Sequence, residues 1–225
     1  MWKLVFMLLP LIPVMAWGLT VLAAVVPLRL GRRASLFVSF ALALAFGKFA
    51  AFALLGGSWT SPDLPQWVIW AYSWAYGMAM LLGMFASVAA IGDGLLRVCR
   101  RPVSVRTKRI RTVALAVFAA AVAFWGIYEG VCIPSVRSIE ISWRELPSEF
   151  DGYRIVHLSD LHCSTAARRS RFERIVERVN ALDADLVAIT GDFVDGRVQE
   201  RSADLSPISI RNPGKGRNGL LHGQP

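Results

Sequence analysis

Four long apolar stretches constrain the fold of this chain more than any other feature of its sequence. They cover residues 5–28, 36–56, 67–91 and 113–133. A helix needs about 20 apolar residues to cross the hydrocarbon core of a bilayer, and each stretch reaches that length. We therefore expect residues 1–133 to form an all-α membrane domain of four transmembrane helices, with the lipid bilayer as its partner.

The first stretch has the features of a retained helix rather than of a cleaved signal peptide. It is preceded by a single basic residue, Lys3, and its apolar run is much longer than the roughly 7–15 residues of a signal sequence. Pro10 and Pro13 are expected to kink the helix near its start.

The basic residues are concentrated in two of the connections between the apolar stretches. Residues 29–33 carry three arginines and no acid, and residues 92–112 carry seven basic residues and one acid, Asp93. By the positive-inside rule both connections lie in the cytoplasm. The chain is then a multi-pass protein of the cell membrane, and its C-terminal segment is extracytoplasmic. Topology and anionic headgroups account for these charges, so we expect no nucleic acid partner despite the net charge of +9.

Two ionisable residues, Lys48 and Glu129, interrupt the second and fourth apolar stretches. A charge inside a bilayer is costly, which favours a functional role or a mutual ion pair. The alternative is that Lys48 snorkels and Glu129 reaches the interface. A transport function would rest on these two residues alone.

After Pro134 the continuous apolar runs give way to shorter periodic patterns. Residues 139–143 alternate between apolar and polar, which predicts a strand with one buried face, and residues 153–159 predict a second strand. Residues 172–179 have the spacing of an amphipathic helix, and residues 186–190 form a wholly apolar run typical of a buried parallel strand. A strand, a helix and a strand in this order predict a βαβ unit whose parallel strands end at the same edge.

Polar side chains follow both strands of the predicted βαβ unit. Asp160 and His162 come after the first strand, and Asp192 comes after the second. Neighbouring strands are about 4.8 Å apart, so these side chains can share a space of metal size. Carboxylate and imidazole groups bind divalent metals, and a carboxylate can bridge two ions about 3.5–4 Å apart. We therefore predict that Asp160, His162 and Asp192 are metal ligands.

The sequences Ser159-Asp160-Leu161-His162 and Thr190-Gly191-Asp192-Phe193-Val194-Asp195-Gly196 resemble the first two motifs of the calcineurin-like metallophosphoesterases. The resemblance covers residues 136–196 and includes bacterial members whose enzyme domain follows membrane spans. It implies that Asp160 and His162 bind one divalent ion and that Asp192 bridges to a second.

The resemblance also implies an activity, the hydrolysis of a phosphoester or phosphoanhydride. The metals implied are Mn, Fe, Zn or Mg, and the sequence does not choose among them. The position beside a membrane makes a lipid-linked substrate or a small phosphoester the expected class.

The later motifs of that family are missing from this sequence. No Gly-Asn-His follows Gly196, and His222 is the only histidine left, so we assign no catalytic residue. We expect residues 134–196 to be the N-terminal part of an incomplete α/β domain that ends after two sheet strands and leaves an unpaired edge.

Residues 197–225 are expected to be disordered, or to result from a frameshift or truncation. If residues 223–225 are encoded GGG-CAA-CCN, reading one nucleotide later gives Gly-Asn and the start of a His codon. The same shift allows residues 220–222 to become Tyr-Phe-Thr.

Two interpretations remain open at this point. The chain is either a membrane-anchored metal-dependent phosphoesterase that is inactive in this form, or a non-catalytic membrane protein whose βαβ unit is inert or binds a partner. Whether this chain is an enzyme is therefore left undecided by the sequence.

Overall fold

The structure is a computed structural model that describes residues 11–58, 62–161, 169–192 and 221–222. The chain divides into two units, Met1–Gly130 and Val131–Pro225. Each unit is described by itself below.

Unit 1 is helical throughout its regular structure. Its helices are α1 (Leu11–Leu28), α2 (Arg32–Phe46), α3 (Lys48–Gly56), α4 (Gln66–Val98) and α5 (Val105–Val131), the last of which reaches one residue into unit 2. By length and composition α1, α4 and α5 can each cross a membrane. Helices α2 and α3 are bent by 63° at their junction, and the number of spans rises to four if this pair counts as one.

The junction between α2 and α3 is at Gly47, inside the stretch of residues 36–56 that the sequence predicts as one span. The Gly47 N–H still bonds to the Ala43 carbonyl at 2.9 Å, but its ψ of 7° departs from helical geometry. The Lys48 ammonium begins the next helix and lies 5.2–5.6 Å from the ring centroids of Phe49, Phe52 and Tyr76. Rings at this distance attract a cation through their quadrupoles.

The ion pair between Lys48 and Glu129 that the sequence suggested does not form. Glu129 is exposed, and both salt bridges seen in the described residues go to Asp93. The aromatic rings around Lys48 take the place of a carboxylate partner, which explains how this side chain is accommodated without Glu129.

Helices α1 and α4 approach closely at Thr20 and Gly83. Thr20 is buried, and its hydroxyl donates to the Ala16 carbonyl at 2.7 Å, so its polar atom is satisfied within its own helix. A side chain at Gly83 would overlap the Thr20 hydroxyl. The residues directly after Thr20, Val21–Val25, form a π-helical turn within α1. The absence of a side chain at Gly83 is therefore what permits this crossing.

Asp93 links α4 to α5. Its buried carboxylate accepts hydrogen bonds from both terminal nitrogens of Arg111, at 2.8 and 2.6 Å, and lies 3.3 Å from the Lys108 ammonium. A bidentate guanidinium–carboxylate pair is a strong and directional contact, so it fixes the ends of the two helices against each other.

Unit 2 contains the predicted βαβ unit. Strand β1 (Ile155–Ser159), helix α6 (Arg169–Asn180) and strand β2 (Leu186–Thr190) follow one another, and the strands pair in parallel from Ile155 with Leu186 to Ser159 with Thr190. A third strand, β3 (Leu221–His222), pairs in parallel with Ala188 and Ile189 of β2. The sequence did not predict β3, which gives the sheet the order β1-β2-β3.

The core of unit 2 lies between α6 and one face of the sheet. Phe172, Ile175 and Val179 of α6 are buried together with Leu161. Half-buried side chains of both strands pack against them: Val156, Leu158, Val187 and Ile189. This is the amphipathic face that the spacing of residues 172–179 predicts.

The strand predicted over residues 139–143 is wrong. These residues are irregular, and Ile139, Ile141 and Trp143 are 83%, 79% and 67% exposed. Alternation of apolar and polar residues describes a strand that has a partner and a covered face. In the described part of the chain no strand pairs with this segment, so the alternating residues do not form a strand with a buried face.

Two arginines of α6 hold the first residues of unit 2. Arg171 donates to the carbonyls of Cys132, at 3.3 Å, and Leu161, at 3.4 Å, and Arg178 donates to the carbonyl of Pro134 at 3.0 Å. Because backbone carbonyls without a strand or helix partner need other donors, these contacts give the irregular segment a fixed start on α6.

Candidate metal centre

The carboxyl ends of β1 and β2 lie at the same level of the sheet. Ser159 and Thr190 are the last paired residues, and the Asp160 N–H extends the pairing by donating to the Thr190 carbonyl at 3.1 Å. Asp160 has a φ of +51°, which is uncommon for a residue with a side chain but is best tolerated by Asp and Asn. The chain therefore turns sharply at the point where the first predicted ligand stands.

The carboxylate of Asp160 faces the start of the turn that follows β2. Its Oδ1 accepts a hydrogen bond from the Asp192 N–H at 3.4 Å. A Cβ atom built at Gly191 would lie 2.8 Å from Asp160 Cγ and 3.1 Å from Oδ2, and Gly191 has a φ of +72°. Glycine is required there both by the backbone conformation and by the space that Asp160 occupies.

Two of the three predicted ligands are thus brought together, and both are exposed. Asp160 and Asp192 stand at one corner of the sheet edge, where a metal ion and a substrate could reach them. Carboxylate oxygens are hard ligands that suit Mg²⁺ and Mn²⁺, and an added imidazole would also suit Zn²⁺ and Fe²⁺. The donor set therefore fits the divalent ions that the sequence implies.

The third predicted ligand, His162, lies outside the described residues, so its place at this corner stays a prediction. Within the described ranges no group of three or more His, Cys, Asp and Glu side chains could hold a metal ion. The described part of the site is the pair of carboxylates and the backbone that orients one of them.

The sequence analysis missed one residue beside the site, His157. Its Nε2 shares a hydrogen bond of 2.7 Å with the Thr190 hydroxyl, across the two strands. Alternation along β1 places His157 and Ser159 on the face opposite the core, which is the signal that could have drawn attention to it. The contact holds the last residue of β2, directly before Gly191, and so helps to fix the turn that carries Asp192.

Residues 153–212 match the sequence profile of the calcineurin-like phosphoesterase family. The matched range contains Asp160, His162, Gly191 and Asp192. The chain carries a calcineurin-like metallophosphoesterase domain. Members of this family generally use divalent metals.

Several relatives carry the same kind of domain. A zebrafish (Danio rerio) transmembrane protein with metallophosphoesterase domain is 34% identical over 103 residues, which cover 46% of this chain and 24% of the relative. An uncharacterized metallophosphoesterase of Helicobacter pylori is 32% identical over 87 residues, 38% of this chain and 23% of the relative. A UDP-2,3-diacylglucosamine pyrophosphatase of Chlamydia muridarum is 32% identical over 87 residues, 37% of this chain and 26% of the relative.

The matched segments cover about a quarter of the length of these relatives. No solved structure gives a significant match to the chain. The transmembrane relative and the apolar helices of unit 1 together indicate association with a membrane.

Proposed function

We propose that this chain belongs to a membrane-anchored, metal-dependent phosphoesterase of bacterial type. The observation that carries the proposal is the corner formed by Asp160, Gly191 and Asp192 at the carboxyl edge of two parallel strands. Open α/β sheets bind ligands at this edge, and the two carboxylates are exposed to receive one.

In this proposal Asp160 and His162 hold one divalent ion and Asp192 bridges to a second. When bound, such ions polarise a phosphoryl oxygen and lower the pKa of bound water. The protein's own contribution is positional: Gly191 leaves room for the Asp160 carboxylate, and the His157–Thr190 contact holds the preceding strand end. Mn, Fe, Zn and Mg all remain candidates.

The proposed substrate class is a phosphoester or phosphoanhydride, of which a lipid-linked one is the first choice. Three helices can cross a membrane, and the bent pair would make a fourth span in our proposal. The pyrophosphatase of Chlamydia muridarum is named for a substrate that carries acyl chains, which supports the same choice. The basic connections support an extracytoplasmic position for unit 2. A small soluble phosphoester is the alternative.

We further propose that this chain alone is inactive and does not retain its metals. The family's Gly-Asn-His motif is absent after Gly196. Strand β3 lies beside β2, because Leu221–His222 pairs in parallel with Ala188 and Ile189. We propose a frameshift as the reason: if residues 223–225 are encoded GGG-CAA-CCN, a shift of one nucleotide would place Gly-Asn at positions 223 and 224, followed by the start of a His codon.

The test compares the present chain with one in which the nucleotide sequence is read in the shifted frame. Both are purified in detergent and assayed with Mn²⁺ and an aryl phosphate. We expect no hydrolysis and no metal retention from the present chain, and hydrolysis from the shifted one.

Three substitutions assign the activity to the carboxylates. Asp160→Asn and Asp192→Asn should each abolish hydrolysis by the shifted chain, because a neutral amide cannot replace a charged ligand. Asp183→Asn is the matched control, since Asp183 is exposed and also has a positive φ, +47°. An inactive shifted chain would favour the non-catalytic membrane protein instead. Equal loss in all three variants would show that the activity does not depend specifically on Asp160 and Asp192.

A further inference from the structure

Two connections of unit 1 lie together at one end of its helices. The Arg109 guanidinium, in the second turn of α5, donates to the carbonyl of Arg29 at 3.3 Å. Arg29 caps α1 in a left-handed conformation, with a φ of +48°. The residue that ends α1 therefore contacts the start of α5, although the two residues are 80 positions apart in sequence.

These two connections carry a concentrated positive charge that faces outward. We call their exposed arginines the arginine surface; its members are Arg29, Arg32, Arg33, Arg97, Arg100, Arg101, Arg106 and Arg109.

Among the described residues of unit 1, acidic side chains do not neutralise the arginine surface. Asp93 is the one acid near it in sequence, and its carboxylate is buried and already engaged by Arg111 and Lys108. The other two acidic residues of positions 1–130 are Asp63 and Glu129. At 1.5 Å per helical residue, Asp63 lies about 45 Å from the arginine surface along α4, and Glu129 lies about 35 Å from it along α5. Within the described part of unit 1, the eight arginines therefore have no acidic side chain to neutralise them and are available to an external anion.

Exposed apolar side chains stand between the arginines. Leu95 and Val98, on either side of Arg97, are 64% and 83% exposed, and Ile110 beside Arg109 is 61% exposed. A partner that covers this surface must offer anionic groups and hydrocarbon together. Nucleic acids offer phosphate without hydrocarbon, whereas a phospholipid leaflet offers both.

We propose that the arginine surface binds the phosphate groups of anionic phospholipids, while the neighbouring apolar side chains contact the acyl region. A guanidinium presents paired N–H donors that match phosphate oxygens. The Asp93 contact with Arg111 and the Arg109 contact with Arg29 hold the two connections in place. The inference concerns unit 1 alone and does not depend on phosphoesterase activity in unit 2.

The experiment measures lipid binding by the purified full chain in a zwitterionic detergent. Phosphatidylglycerol or phosphatidylcholine is added in increasing amounts, and bound lipid is counted by native mass spectrometry. We expect phosphatidylglycerol to bind at least tenfold more tightly than phosphatidylcholine, and binding to weaken as salt concentration rises.

The test variant combines Arg97→Gln, Arg101→Gln and Arg106→Gln. Each arginine near an anionic surface contributes roughly a fivefold gain in affinity, so the triple variant should lose between about tenfold and about a hundredfold. The control combines three exposed positions of unit 2, in Arg137→Gln, Arg144→Gln and Arg174→Gln, and removes the same charge. We expect the control to bind phosphatidylglycerol as the parent chain does.

A lysine variant distinguishes loss of charge from misfolding. Replacing the same three arginines of unit 1 with lysine keeps the charge, and it should retain more than half of the bound phosphatidylglycerol. Thermal unfolding in detergent without added lipid should be the same for all variants.

The proposal would be overturned by equal binding of both lipids, by equal loss in the control, or by displacement of phosphatidylglycerol by a DNA oligonucleotide at micromolar concentration. Displacement by millimolar inorganic phosphate would likewise assign the surface to a soluble anion. Retention of phosphatidylglycerol against both competitors supports the leaflet.

Discussion

Replacing Gly191 with alanine tests whether the Asp160 carboxylate depends on the space beside it. The substitution has two separate costs. An L-residue at a φ of +72° costs about 1–2 kcal/mol in backbone conformation. The new Cβ would lie 2.8 Å from Asp160 Cγ and 3.1 Å from Oδ2, so the carboxylate must move or the strand end must shift. Overpacking of this kind costs about 1–3 kcal/mol.

Gly152 provides a control that separates the two costs. It has nearly the same conformation, with a φ of +74°, but a Cβ atom there would meet nothing within 4 Å. Gly152→Ala should therefore carry the backbone cost alone. We expect Gly191→Ala to destabilise unit 2 by about 2–5 kcal/mol in total, and Gly152→Ala by about 1–2 kcal/mol.

The assay is urea unfolding of the purified full chain in detergent, together with hydrogen exchange of the peptides that contain β1 and β2. Gly191→Ala should speed exchange at the Asp192 amide, which donates to Asp160. Equal destabilisation by the two substitutions, with unchanged exchange at Asp192, would refute the contact between Gly191 and Asp160 as a constraint on the site.

Three further substitutions test the packing of the two units. Asp93→Asn should lower the stability of unit 1 by about 1–3 kcal/mol. This is below the roughly 3–5 kcal/mol expected for a fully buried pair, because the Arg111 side chain is 32% exposed. Thermal unfolding in detergent measures the loss, and an unchanged unfolding temperature would contradict the role of the pair. Lys48→Met should alter the same unfolding temperature little, since lost contacts with rings are offset by removal of a half-buried charge. A large drop would reveal a missing partner. Phe172→Ala should cost unit 2 about 3–5 kcal/mol in urea unfolding, whereas exposed Phe150→Ala should cost little, and similar losses would refute the assigned core.

The sequence predicted the βαβ unit because each of its signals is local. The apolar run of residues 186–190 and the spacing of residues 172–179 each describe one element and its buried face, and the parallel pairing follows from their order. The same order predicted that Asp160 and Asp192 meet at one edge. No local signal shows that the Asp160 carboxylate faces Gly191, because this contact joins residues 31 positions apart.

The errors also have physical causes. Residues 139–143 have the alternation of a strand, but pairing needs a neighbour that the segment itself does not encode. The apolar stretch of residues 36–56 is long enough to cross a membrane as one helix. Hydropathy does not distinguish a straight helix from one that bends by 63° at Gly47. Strand β3 was missed because two residues are too few to show a period.

The register of β1 with β2 limits how the length of this protein can change. A residue inserted between Asn180 and Leu186 can be absorbed by the loop, because the pairing of Ser159 with Thr190 stays as it is. A residue inserted within β2 moves Asp192 by about 3.3 Å and reverses the face of every side chain beyond it. In the proposed site Asp192 is a metal ligand, and metal–ligand distances tolerate only about 0.2 Å. The proposed site therefore predicts that descendants of this sequence can gain or lose residues in the loop, whereas the strands must keep their length.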